Sequence, residues 1–197
     1  MTMTRFSKLM LALLAPLPVL ATPVTYGIDS LHSFPNFTIN HLGMTTIHGR
    51  FERMTGKVVM DTAAKTGSLE VKIPTATVST GDSRRTDGVR SRDDHLRSAD
   101  FFNSTEFPDM VYKSSKFNFA GDKLESIEGN LTLLGVTKPL KLNVASFNCA
   151  PHPFNKKPMC GAYAEGTIKR TDFGMKFGTP GVSDEVKLAI GVEAYPE

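Results

Sequence analysis

Beyond residue 24 the apolar positions of the chain fall on alternate residues. In "SLEVKIP" Leu69, Val71 and Ile73 share one face, and Ser68, Glu70 and Lys72 share the other. "SIEGNLTLL" places Ile127, Gly129, Leu131 and Leu133 inward and Ser126, Glu128, Asn130 and Thr132 outward. The same beat returns in "PLKLNVASF" with Leu140, Leu142 and Val144, and in "EVKLAIGVEA" with Val186, Leu188, Ile190 and Val192. A period of two with one apolar face marks antiparallel strands that pack on a core on one side and meet water on the other. Further strands are predicted over 33–42, 46–60, 109–119 and 161–170, with Gly, Pro, Asn and Asp clusters between them.

One region, 82–104, breaks the pattern. Ser91 with Asp94 three residues on resembles a capping box at a helix start. Leu96 and Ala99 then lie on one helical face, with Phe102 close to it. The expectation is an all-β fold of about eight antiparallel strands with one or two short helices. A closed barrel is preferred to a sandwich, because closure removes the edges that long strands otherwise expose. Eight strands enclose a bore that side chains fill or that holds one small ligand. Gly129 among large inward residues, and Ala162, Ala164 and Gly166 on one row before Ile168, are small enough to leave room. Barrel taper alone also calls for such small residues.

The first residues change the picture of where the chain works. Arg5 and Lys8 precede an apolar run, Leu9 to Leu20, interrupted by Pro16 and Pro18 and followed by the small residue Ala21. This reads as a secretory signal over 1–21, cut after Ala21, with a periplasmic barrel over 22–197. The run is too short and too proline-broken for a membrane span. Removing it takes away two basic residues and no acid, so 23 basic residues become 21 against 20 acidic ones and the formal charge falls from +3 to +1. A near-neutral chain has no electrostatic footprint for nucleic acid. Cys149 and Cys160 flank "CAPHPFNKKPMC", and an oxidising compartment predicts one disulfide between them. The chain-entropy model values such a closure at about 3 kcal/mol before native-state strain. A metal site with His152 is the rival, but two thiols and one histidine lack a fourth ligand.

The stretch "RSRDDHLRSADFF", from Arg90 to Phe102, holds three arginines, three aspartates and a histidine. As a catalytic cluster it fails, because Asp93, Asp94 and His95 are consecutive and point in different directions on a helix. The chain has no G-x-S-x-G elbow, no phosphate loop and no G-x-G-x-x-G. His32, His41 and His48 form no zinc spacing. Neither a cofactor nor a resident metal is expected.

Several motifs also occur in order: "YGIDSLHSFPNFTINHLGMTTIHGRF", "RDDHLRSADFFNSTEFP", "GNLTLLGVTKPLKL", "KRTDFGM" and "VSDEVKLAIGVEA". Together they resemble the YceI family of exported, lipocalin-like proteins across essentially the whole mature chain. The resemblance implies an eight-stranded antiparallel barrel that holds a long isoprenoid, such as a polyprenyl chain or quinone tail, and implies no catalytic residue. On this basis the charged segment is expected at the cavity mouth. His32, Arg90, Arg92, His95 and Arg97 are its candidate polar contacts, and Phe101, Phe102, Phe107, Leu131 and Leu142 its candidate apolar wall. A carrier of this kind is compatible with transient membrane contact and with a homodimer. Two other readings are an enzyme acting on a lipid inside the barrel, with His32, His41 or His95 as acid–base groups, and a filled barrel whose outer face binds a protein.

Overall fold

A computed structural model of the protein describes residues 22–84 and 88–197. The secretion signal expected over 1–21 lies outside the described residues. In chain order the strands are β1 (Val24–Ile28), β2 (Phe34–His41), β3 (Thr45–Phe51), β4 (Thr55–Asp61), β5 (Thr66–Pro74), β6 (Val78–Ser79), β7 (Asp109–Ala120), β8 (Lys123–Leu133), β9 (Val136–Pro151), β10 (Pro158–Lys169) and β11 (Val182–Pro196). One α-helix, α1 (Arg92–Arg97), and 3-10 turns at Thr75–Thr77 and Arg170–Phe173 complete the described elements. The order β1-β4-β5-β7-β8-β9-β10-β11 closes on itself, because β11 pairs back onto β1. All pairings are antiparallel, so this is the eight-stranded closed barrel that the alternation predicts.

Of the three additional strands, β2 and β3 come from the length of β11, and the short β6 pairs with the end of β3. The distal half of β11 pairs with β2, from Val186 opposite Ile39 to Gly191 opposite Phe34, while its end pairs with β1 at Ala194 to Pro196. Strands β1 and β2 thus follow one edge in series, broken at 29–33. Strands β3 and β4 follow the next in the same way. The single strand predicted over 46–60 is therefore two, interrupted at Glu52–Met54, where the Glu52 amide donates to the Thr77 carbonyl (3.0 Å). Met54 turns into the core at this break and is 1% exposed.

Val71, Ile73, Ile127, Leu131, Leu133, Leu140, Leu142 and Val144 are buried, as their alternation requires. Two expectations about the inward rows are corrected. Gly129 leaves no space: a Cβ there would meet the Tyr112 ring at 2.9 Å, so that ring occupies the gap. Gly166 is likewise covered by Leu142 Cδ2 at 2.9 Å. Ala99 does not join Leu96 on a helical face, because α1 ends at Arg97 and Ala99 is exposed beyond it. The helix start is as expected: the Ser91 hydroxyl accepts from the Asp94 amide at 3.1 Å, satisfying one free N–H of the first turn.

Cys149 and Cys160 are joined and stand directly opposite each other in the β9–β10 register. The disulfide lies toward the end of the barrel that carries the 61–66, 120–123 and 151–158 turns. The other end carries the 41–45 hairpin, the segment with α1, the 133–136 turn and the loop 170–181. Arg170 organises that loop. It is 2% exposed, and its guanidinium donates to the carbonyls of Met175 (3.2 Å), Phe177 (2.8 Å), Val182 (2.8 Å) and Ser183 (2.8 Å).

Candidate functional site

The barrel encloses a cavity of about 410 Å³. It is bounded mainly by β10 and β11 on one side and by β5, β7, β8 and β9 on the other. Leu188, Ile190 and Val192 face it, which explains why these inward residues of β11 are only half-buried. Gly161, Ala162 and Ala164 on β10 border it, so these small residues do leave room, unlike Gly129 and Gly166. On β11 the lining runs from Val182 to Ala194. At ~3.4 Å per residue that is about 40 Å of strand, or about 30 Å of barrel axis after a tilt of ~40°.

Polar groups inside are few, and those deep in the bore have partners. The Tyr112 hydroxyl lies within hydrogen-bond distance of the carbonyls of Leu140 (3.0 Å) and Ile127 (3.2 Å). Burial, reinforced by the Glu128 charge, pushes its pKa far above the ordinary phenol value, so it stays neutral. Asn36 donates to the carbonyls of Phe34 and Ala189, both at 3.1 Å. Tyr26 borders the cavity from β1 toward the disulfide end, and the remaining polar lining, His41, Thr80, Arg92, His95 and Arg170, sits at the α1 end. The cavity is mainly apolar along its length, and its arginine and histidine side chains gather at one mouth.

Of the sequence-predicted contacts, the structure brings Arg92, His95, Phe101, Phe102, Leu131 and Leu142 to this cavity. His95 is wedged between Phe101 (ring centroids 4.9 Å apart) and Phe177 (4.8 Å), and its Nε2 is 2.8 Å from Asp100 Oδ2. The same Asp100 oxygen accepts from Arg90 at 2.8 Å. Hydrogen bonds from Arg90, then from His95, hold the Asp100 carboxyl below its ordinary value. Arg92 Nε donates to the Thr80 hydroxyl at 2.7 Å, and the buried Asp93 carboxylate accepts from the Thr80 amide at 2.8 Å.

The other candidates stand apart from the lining. Arg97 bolts α1 onto the barrel by donating to the carbonyls of Ala76 and Val78, both at 2.8 Å. Arg90 is tied to Asp100 outside the bore. Phe107 packs against the 133–136 turn, with its Cε1 3.1 Å from where a Gly135 Cβ would sit. His32 lies at the break between β1 and β2, exposed, with Nδ1 2.8 Å from Asp29 Oδ2. That carboxylate raises the His32 pKa. One ligand atom each from Asp29, His32 and Glu193 falls within 4.8 Å of the others. Three donors on an outer surface, with Asp29 already capping the Leu31 amide at 2.9 Å, are one short of a closed tetrahedral site.

The alternation in sequence does not reveal Thr80, His41 or Phe177 as cavity neighbours, because all three lie at strand ends or in loops. The signal for Phe177 was the apolar residue inside "GMKFGTPG", a stretch otherwise made of turn formers.

A closed antiparallel barrel with one apolar chamber and one polar mouth defines the class of lipocalin-like barrels. The YceI-like domain family model matches residues 26–194, and the chain belongs to that family. Protein YceI of Shigella flexneri is 38% identical over 180 residues, 90% of each chain. Among solved structures, a Campylobacter jejuni YCEI protein is 30% identical with a TM-score of 0.65, covering 81% of this chain and 90% of its own. A polyisoprenoid binding domain from Saccharophagus degradans, implicated in plant cell wall breakdown, has a TM-score of 0.60 at 17% identity, covering 88% of this chain and 99% of its own. That last likeness is one of fold.

Proposed function

We propose that this protein is an exported carrier that holds one long, mainly apolar lipid, an isoprenoid quinone or polyprenyl species, in its barrel. The segment 1–21 serves as a secretion signal cut after Ala21, which delivers the barrel to the periplasm. The observation that carries this reading is the chamber itself: about 410 Å³ walled mainly by apolar side chains, with its arginine and histidine side chains gathered at the α1 mouth. The fold shared with a polyisoprenoid binding domain supports the choice of ligand class.

The tail supplies the affinity relative to water, at about 0.8 kcal/mol per buried methylene. An extended hydrocarbon advances ~1.25 Å per bond, from the ~1.5 Å bond length and ~111° angle. A bore of about 30 Å thus holds about two dozen chain atoms, or roughly six isoprene units of four chain carbons each. Longer tails fold back or project from the mouth. The head group meets Arg92, His95 and Thr80. Organic extraction of the native periplasmic protein followed by mass spectrometry tests the reading. Stoichiometric isoprenoid is the expected result. Protein that is empty, and that takes up no isoprenoid quinone from detergent, overturns it.

A further inference from the structure

The α1 end of the barrel exposes large apolar side chains next to the cavity mouth. Leu42 is 56% exposed, Met44 83% and Phe177 48%. Leu42 and Met44 form the tip of the β2–β3 hairpin, and Phe177 lies in the loop 170–181. The two loops are joined: the Leu42 amide donates to the Gly181 carbonyl at 2.7 Å, and Leu42 Cδ2 is 3.2 Å from where a Gly181 Cβ would sit. Phe177 in turn packs on His95 and Phe101, at the edge of the chamber. The apolar surface is therefore continuous in structure with the mouth.

Two features show that this exposure is built and held. The first is the hairpin turn. Leu42 (φ 59°) and Gly43 (φ 70°) both have positive φ, and the Met44 amide donates to the His41 carbonyl at 3.1 Å. A turn with two positive φ values favours Asn-Gly or Asp-Gly, and a leucine there carries a steric cost. The second is the loop, whose shape is set from within by the four bonds of buried Arg170, two of them to the carbonyls of Met175 and Phe177. The loop presents Phe177 and cannot fold it away without breaking them.

Two cations stand beside these tips. Arg92 and Lys176 are exposed here and have no carboxylate partner among the described residues. Three of the nearby acids are engaged: Asp93 with Thr80, Asp94 with Arg97, and Asp100 with Arg90 and His95. Asp82, which accepts from the Arg92 amide, the exposed Asp172 and Glu185, and Asp184, which accepts from the Thr171 amide at 2.9 Å, also lie at this end.

We propose that this rim, Leu42, Met44 and Phe177 flanked by Arg92 and Lys176, docks onto the surface of a bilayer containing anionic phospholipid, so that the chamber opens directly into the acyl layer. The inference rests on the carrier reading. Apolar tips that dip below the head groups, with cations at head-group level, match a charged interface. A lipid tail leaving the chamber then passes from one apolar medium to another without crossing water.

The test uses full-length mature protein and the double variant Leu42→Asn, Met44→Thr. Asn suits the positive φ better than Leu, so the fold is kept, and neither side chain lines the cavity. Co-sedimentation is measured with vesicles of phosphatidylcholine and with vesicles containing a third phosphatidylglycerol. Wild-type protein is expected to sediment with the anionic vesicles, and the variant about tenfold or more weaker, as removal of two inserted apolar side chains requires. Its melting temperature and its loading with isoprenoid quinone from detergent should match wild type, while transfer of that quinone between vesicles slows. Equal vesicle binding by wild type and variant overturns the proposal, as does wild-type protein that ignores anionic vesicles. A wild-type dimer that the variant converts to monomer, without vesicle binding, assigns the rim to a second copy and also overturns it. Failure to load quinone from detergent would sink the carrier reading, yet co-sedimentation would still report on docking.

Discussion

Replacing Arg170 by methionine tests whether the mouth is built from within by one buried cation. The guanidinium makes four bonds to backbone carbonyls and is 2% exposed. Each hydrogen bond to a charged group contributes ~1.5–3 kcal/mol, which summed over four would far exceed the effect of a typical substitution. The loop lies at the surface, however, and three of the four acceptors can turn to water once it opens. Buried Met175 is the residue that must stay or unpack. The expected loss is about 3–4 kcal/mol, within the ~3–5 kcal/mol seen when a buried charged network is broken. For a domain of this size that lowers the melting temperature by roughly 10 °C. Calorimetry of the mature protein gives the global figure, and amide exchange over 174–183 shows whether the loop opens first. Lysine at 170 should rescue little, because a point charge with three donors lacks the planar fork that reaches Ser183, Val182 and Phe177 together. A loss under about 1 kcal/mol, with unchanged exchange in the loop, would refute the reasoning.

Reduction, or the double change Cys149→Ala and Cys160→Ala, should lower stability by at most about 3 kcal/mol, the loop-entropy bound, and leave the barrel closed. Intact mass after alkylation, with and without reductant, checks the bond, and two free thiols in periplasmic protein would contradict it. Leu142→Asp puts a charge in the apolar wall and should abolish isoprenoid retention or folding, whereas His95→Ala should leave retention largely intact. Mass spectrometry of extracted lipid decides between the two positions, and an empty but folded His95→Ala protein would make the rim the anchor. Asp100 has its pKa lowered below 3.8 by Arg90 and His95, so its contribution is present above the ordinary value and lost as pH falls through the folded one. Amide exchange at 98–103 should therefore rise only below about pH 4, and Asp100→Asn should exchange fast throughout. His32 has the opposite sign: its pairing with Asp29 raises its pKa, so that contribution is full below 6.5 and fades as pH rises through the folded value.

The strands were legible because a period of two needs no tertiary information. Seven of the eight staves, β4, β5 and β7 to β11, fall within predicted runs, while β1 was missed and the run over 33–42 is β2; Leu69, Leu131, Leu142 and Val186 face inward as their alternation demands. The breaks within β1–β2 and β3–β4 were not legible. Neither "DSLHS" nor "ERM" contains a glycine or proline. The interruptions follow from where β11 changes partners, a property of the closed sheet. The chamber was legible only as a size class. Which small residues yield space depends on where the rings lie: Phe37 sits over Gly49, Phe117 over Gly67 and Tyr112 over Gly129, while Ala162 and Ala164 are left open. Of the arginines in the charged segment, two serve the fold. No linear pattern separates Arg97, which clamps α1 to the turn before β6, from Arg92, which borders the bore.

This division of labour bears on selectivity. On the carrier reading a tail gains little from the chamber relative to a bilayer, since both are apolar, so affinity against the membrane turns on fit and on the head group. Few groups can read a head: Arg92, His95, Thr80 and His41 are the polar side chains at the mouth not buried beneath it. Fit is set along the wall. Ala162 and Ala164 on β10 lie beside Val192 and Ile190 on β11, so the wall recedes along β10. A methyl-branched chain is expected to fill such a bore better than a slender acyl chain. Because dispersion falls away steeply with separation, a gap of ~0.5–1 Å forfeits a quarter to a half of each contact. On the carrier reading, an isoprenoid is therefore expected to be retained over a saturated acyl chain of the same length when the two compete for loading. Larger side chains at Ala162 and Ala164 should reverse that preference before they abolish binding.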